Sequence, residues 1–145
     1  MKQMIFKTEN NYTGLIARLS IGLILFPHGA QKALGWFGGY GFTGTMHFFT
    51  ESVHLPWLVG LAVILIEFVG SICLLLGLAG RVWALAVIGL MIGIIPQHTA
   101  NGFFMNWFGN QKGEGFEYHL LMIALAFIVL IEGSGKMSID RKFAV

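Results

Sequence analysis

Cysteine is nearly absent from this chain: one residue in 145, Cys73. A lone thiol closes no intramolecular disulfide and forms no dithiol redox pair. Charge is scarce as well. Charged residues make up 11%, against about 25% in an ordinary soluble domain. The net charge is +2 without a basic cluster, which gives no footing for nucleic acid. No His, Cys, Asp or Glu group has close metal-ligand spacing, so no metal site is assigned. Histidines on separate helices are able to ligate haem iron, but a histidine bonded to a backbone carbonyl is the commoner case, and haem is not expected. No flavin motif is visible, so electrons for any redox chemistry would have to come from a partner.

What the chain has in abundance is apolar sequence. Hydrophobic residues make up 56%, in four runs of roughly 18–24 residues, the length a helix needs to cross about 30 Å of hydrocarbon. The expected fold is all-α, a transmembrane four-helix bundle with aromatic and Gly-rich outer loops. It forms one domain over residues 1–145, with spans near 12–34, 56–79, 81–100 and 117–133. A cleavable signal peptide competes for the N-terminus, but Arg18 interrupts the apolar run and no small-x-small site follows. Pro27 and Pro96 are expected to kink spans one and three, and Pro56 to start span two. Gly80 is read as a tight turn, and Gly89 and Gly93 as a close helix contact. Met46, Phe49 and Val53 recur at i, i+3 and i+7, which suggests a short interfacial helix starting near Thr43 or Thr45.

Lys2, Lys7, Arg81, Lys136, Arg141 and Lys142 fall on one face, Lys32 and Lys112 on the other. The positive-inside rule therefore places both termini and the 2–3 turn in the cytoplasm of a bacterial-type inner membrane. Membrane lipid is the first partner; a soluble or membrane redox partner and homo-oligomerisation stay open. The aromatics crowd the two outer loops. A membrane belt would appear on both faces, so an aromatic cap over the outer end is expected. Pro27-His28 followed by Trp36-Phe37-Gly38 is echoed by Pro96-Gln97-His98 and Trp107-Phe108-Gly109. An old duplication and chance are equally good accounts of that echo.

Polar residues inside the spans carry the functional argument. An intramembrane charge costs about 2.5–3.5 kcal/mol on insertion scales, so it pairs or lines a cavity. At ~1.5 Å per residue Glu67 lies near the midplane. Arg18 is the one basic residue in an inner half-span, so an Arg18–Glu67 pair is expected; Glu132 snorkels to the inner surface. In the outer third, His28 and Lys32 share a helix face, His98 reaches a similar height, and Glu117 and His119 open span four. The catalytic candidates are His28, Lys32, His98, Glu117 and His119, expected around one cavity where histidine titrates in a proton relay. Gln31, Trp36, Gln97, Asn101, Trp107 and Phe116 are expected as its ligand-binding walls. The bland alternative has Lys32 snorkelling and each histidine satisfied by a carbonyl freed near a proline.

The chain also resembles the DoxX family of small four-span membrane proteins, from about Ala17 to Arg141. The resemblance rests on Arg18-Leu19, Pro27-His28-Gly29-Ala30-Gln31-Lys32, Gly35-Trp36-Phe37-Gly38-Gly39-Tyr40-Gly41 and Glu67-Phe68-Val69-Gly70. It continues in Leu76-Gly77-Leu78-Ala79-Gly80-Arg81, in His98 with Asn101-Gly102-Phe103-Phe104, in Gly115-Phe116-Glu117-Tyr118 and in Gly133-Ser134-Gly135-Lys136-Met137-Ser138-Ile139-Asp140. It implies a membrane bundle, and links to thiosulfate:quinone oxidoreduction, oxidative-stress complexes and quinone or catechol handling. Three function classes follow: a redox subunit with an outer pocket for a quinone or catechol, a non-catalytic scaffold, or passage of a small solute past Glu67. Whether the protein is an enzyme is left open.

Overall fold

Runs of Leu, Ile, Val and Ala between polar, Gly-rich connections leave helix as the way to satisfy backbone groups in an apolar medium. The computed structural model describes residues 5–143, and every long element among them is helical. Helix α1 covers Tyr12–Leu34, capped at its start by the Asn11 side chain on Gly14 N–H and at its end by left-handed Gly35. A 3-10 turn over Trp36–Gly38 leads into α2, Gly41–His47, which runs on through a π turn over Phe48–Ser52. The short outer helix therefore starts before Thr43; Met46 is its buried anchor. Helix α3 covers Trp57–Leu76, α4 Gly80–His98 and α5 Glu117–Glu132, with a last turn, α6, at Asp140–Phe143.

The membrane-bundle expectation holds: α1, α3 and α4 with its 3-10 extension to Asn101 are long and apolar enough to cross a bilayer. Helix α5 has 16 residues, a rise of about 24 Å, short of a full hydrocarbon core. Helix α1 packs against α3 and α5, and α4 against α5 and α3, which puts α1 and α4 at opposite corners. Ile21, Leu25, Leu74, Val87, Met91, Met122, Ala126 and Val129 fill the centre. Gly89 and Gly93 are not the close contact expected of them: they face outward, with nothing within 4 Å of an added Cβ. The close approach is made by Gly14, Gly22, Gly29, Gly70 and Gly80.

The end of the bundle that carries the start of α1 and the C-terminal tail is locked by Arg18, which is 1% exposed. Its Nε donates to Ser134 O, one terminal nitrogen to Leu74 O and Leu75 O, and the other to Lys136 O and Met137 O. All five guanidinium N–H donors are used. Of the two α3 acceptors, Leu74 O also accepts from Gly77 N, and Leu75 O is a carbonyl that the end of the helix leaves to the guanidinium. Asp140 caps α4 from a distance, accepting from Ala79 N, Gly80 N and Ser134 Oγ. Ser134 thus joins both buried charges. Arg81 ties in Lys7 O and Ile131 O, and the Lys136 ammonium sits 3.9 Å from the Tyr12 ring centroid. Glu132 is not merely snorkelling, since it accepts from Asn11 Nδ2. Lys2 and the last two residues lie outside the described range.

Candidate functional site

The site begins with a widened helix. Residues Ile66–Gly70 of α3 form a π turn, a local departure that often accompanies function. Glu67 sits on it, 5% exposed. Across from it α1 carries Gly29, whose hydrogen faces the Glu67 peptide: a Cβ there would stand 2.5 Å from Glu67 C and O. This contact puts Lys32, one turn on, beside the carboxylate, and Lys32 Nζ pairs with Glu67 Oε2. The expected Arg18–Glu67 pair is therefore corrected. Arg18 is committed to five carbonyls at the inner end, and Lys32 is the cation of Glu67. Lys32 does not snorkel away, because its head group gains a buried counter-charge.

Lys32 also faces outward. With Gln31, Gly38, Gly39, Tyr40, Thr45, Phe48 and Phe49 it lines a pocket of about 250 Å³. Gly39 approaches the Gln31 backbone too closely for any side chain, and Gln31 Nε2 donates to Phe37 O at 3.2 Å. The pocket lies between α1 and α2 and takes in none of the five other expected walls. Trp36 and Gln97 are exposed, Asn101 Nδ2 donates to Glu114 O at 3.1 Å, and Phe116 packs edge-on against Phe103. Trp107 Nε1 donates to Glu117 at 3.0 Å, and the same carboxylate oxygen accepts from Met105 N at 2.9 Å. Glu117 thus orders the second outer loop and lines no shared cavity.

The histidines divide in the same way. His28 is exposed on α1, although it lies one turn from Lys32. His98 and His119 come together between α4 and α5, rings stacked at 4.6 Å with 27° between planes. That spacing leaves no slot for a macrocycle between them. The Tyr118 ring meets His119 edge-on at 5.3 Å. So the five residues expected around one cavity occupy separate places: the Lys32–Glu67 pair, the His98–His119 stack, the Glu117 loop tie, and His28 on the outside. Among the described residues no group of three or more His, Cys, Asp or Glu is placed to hold a metal ion.

Sequence reasoning missed two members. Tyr118 reads as one more interfacial aromatic, yet its hydroxyl is buried; its place beside His119 is the signal that could have found it. Asp140 reads as a solvated tail charge, yet it is 1% exposed.

A family model described as DoxX matches residues 14–107, from the first turn of α1 into the second outer loop. A Bacillus subtilis (strain 168) protein described as "Putative oxidoreductase CatD" is 29% identical over 126 residues, covering 87% of this chain and 83% of its own length. No solved structure matches the chain. The family match takes in more than half of the sequence and every residue of the Gly29–Lys32–Glu67 contact: the protein belongs to the DoxX family.

Proposed function

We propose that the protein is a membrane redox subunit that holds a small quinone- or catechol-like aromatic in the outer pocket and exchanges electrons with a separate partner. One observation carries the reading. Lys32 links an aromatic-walled pocket, with Tyr40, Phe48 and Phe49, to a carboxylate buried near the middle of the bundle. Aromatic walls suit a flat ring, and an ammonium suits its oxygens. The similarity to a protein described as an oxidoreductase supports the same class. In this reading α5 is a fourth span, the membrane is a bacterial inner membrane, and the end that carries Lys7, Arg81 and Lys136 is cytoplasmic. Solute passage has less support. Between Glu67 and Arg18 the buried layer is Ile21, Leu25, Leu74, Val87, Met91 and Met122, and the one buried hydroxyl, Ser71, donates to Phe68 O.

The test is binding of decylubiquinone and of catechol to the purified protein, followed by tryptophan fluorescence. Lys32→Met should weaken binding by about tenfold or more, the size of one charged hydrogen bond, and His28→Ala should not. Equal binding by the wild type and Lys32→Met would end this reading.

A further inference from the structure

Helix α5 is too short for the bilayer that its neighbours define. Helices α1, α3 and α4 with its 3-10 extension have 23, 20 and 22 residues. Each rises ~30 Å or more, a match to the hydrocarbon core. Helix α5 has 16 residues and rises about 24 Å, which leaves about 6 Å of hydrocarbon at one of its ends. One end is closed to such an extension. There the Arg81 guanidinium donates to Ile131 O at 2.8 Å, and Glu132, the last residue of the helix, accepts from Asn11 Nδ2. Charge thus marks the polar layer at the last turn of α5. Beyond it the chain turns at Gly133 into the tail that Arg18 holds. At the other end stands the loop that joins α4 to α5. Its large apolar rings are exposed, Trp107 by 78% and Phe108 by 89%.

We propose that this loop is itself a membrane element: Phe103, Phe104, Trp107 and Phe108 enter the headgroup–acyl boundary of the lipid leaflet at that end and complete the crossing that α5 leaves short. The loop is tied at the level this requires. Glu117 N donates to Phe103 O at 3.0 Å, and Trp107 Nε1 donates to Glu117 Oε1 at 3.0 Å, which holds both residues beside the first turn of α5. Phe103 packs edge-on against Phe104 and Phe116, joining the rings into one apolar surface. The backbone suits a nearly dry setting, where each unpaired N–H or C=O is costly. Met105 N donates to Glu117 and Asn106 N to Glu114, and the Asn106 side chain exchanges two hydrogen bonds with the Gln111 backbone. Trp107 has the form of an interfacial anchor, its N–H held by a carboxylate and its ring free for acyl chains.

This inference rests on α5 being a fourth span, part of the reading proposed above, and uses none of its ligand chemistry. The full chain with Cys73→Ala, which removes the one native thiol, is given a nitroxide at Phe108→Cys or Phe104→Cys. It is placed in vesicles of phosphatidylcholine and phosphatidylglycerol. Electron spin resonance then reads collisions with oxygen, which concentrates in lipid, and with a nickel chelate, which stays in water. Lys112→Cys, at an exposed charged position of the same loop, is the water reference. Phe127→Cys, at an exposed position of α5, is the lipid reference. Nickel collisions at 104 and 108 should be rarer than at 112 by about threefold or more, the scale of moving a polar solute out of water. Water-like access at either 104 or 108, with 127 in lipid, overturns the inference and leaves this face to a protein partner, while the four-span reading stands. Nickel access at 127 overturns both.

Discussion

Lys32 Nζ meets Glu67 Oε2 because Gly29, three residues earlier on α1, has no side chain to hold α3 away. The pair is mostly buried, with side-chain exposures of 24% for Lys32 and 6% for Glu67. Removing one partner of such a pair costs about 3–5 kcal/mol, because the other charge is stranded. Lys32→Met and Glu67→Leu should each lower the thermal midpoint of the detergent-solubilised protein. The double variant should recover most of the loss. If the two single losses simply add, the pair is not coupled.

Gly29→Ala tests the contact itself. Its Cβ would stand 2.5 Å from the Glu67 carbonyl carbon and oxygen, and overpacking of this kind costs about 1–3 kcal/mol. Gly89→Ala is the control, with nothing within 4 Å. There the substitution should stabilise by about 0.4–1 kcal/mol, through the reduced freedom of the unfolded chain. The same thermal assay reads both, and equal effects would mean that α1 and α3 are not in contact at this level.

Arg18→Met removes the guanidinium from five carbonyls, of which Leu74 O keeps the Gly77 N–H, and leaves Asp140 without the compensating charge in its cluster. A buried hydrogen bond to a charged group is worth about 1.5–3 kcal/mol, so the docked tail should detach. Trypsin cleavage after Lys136 and Arg141 should then be much faster than in the wild type. Arg18→Lys should give an intermediate rate, because an ammonium has three donors where the guanidinium fork has five. Unchanged cleavage in Arg18→Met would remove the lock.

Glu117 separates a relay role from a loop role. Its Oε1 accepts from Met105 N and Trp107 Nε1, and a glutamine oxygen accepts from the same donors. Glu117→Gln should therefore leave Trp107 fluorescence nearly unchanged. Glu117→Ala should release the indole and shift its emission, at a loop cost of about 1–3 kcal/mol. A large effect of Glu117→Gln would restore charge or proton transfer as its function.

The helices and the crowded loops between them are legible in the sequence because they follow from run length and local composition. The pairing of charges is not. Arg18 and Glu67 look like natural partners by depth, but the π turn at Ile66–Gly70 and the Gly29 contact set a register that no local pattern encodes. His28 is misleading for a similar reason. Around α1, Lys32 projects between the directions of His28 and Gly29. Its long side chain leans to the Gly29 side and reaches Glu67, while the shorter imidazole stays outside. Asp140 was hidden because a charge in a basic tail reads as solvated until the tail is seen docked.

The lock at Arg18 also sets an order of assembly. Ser134, the acceptor of its Nε, is made 116 residues later, about 6–23 seconds at ordinary ribosomal speeds. Until then α1 carries a guanidinium that finds only two of its five acceptors, Leu74 O and Leu75 O of α3. The first helix to enter the membrane is therefore among the last to be finished, and a nascent chain stalled before residue 134 presents a cation that lacks the acceptors of Ser134, Lys136 and Met137.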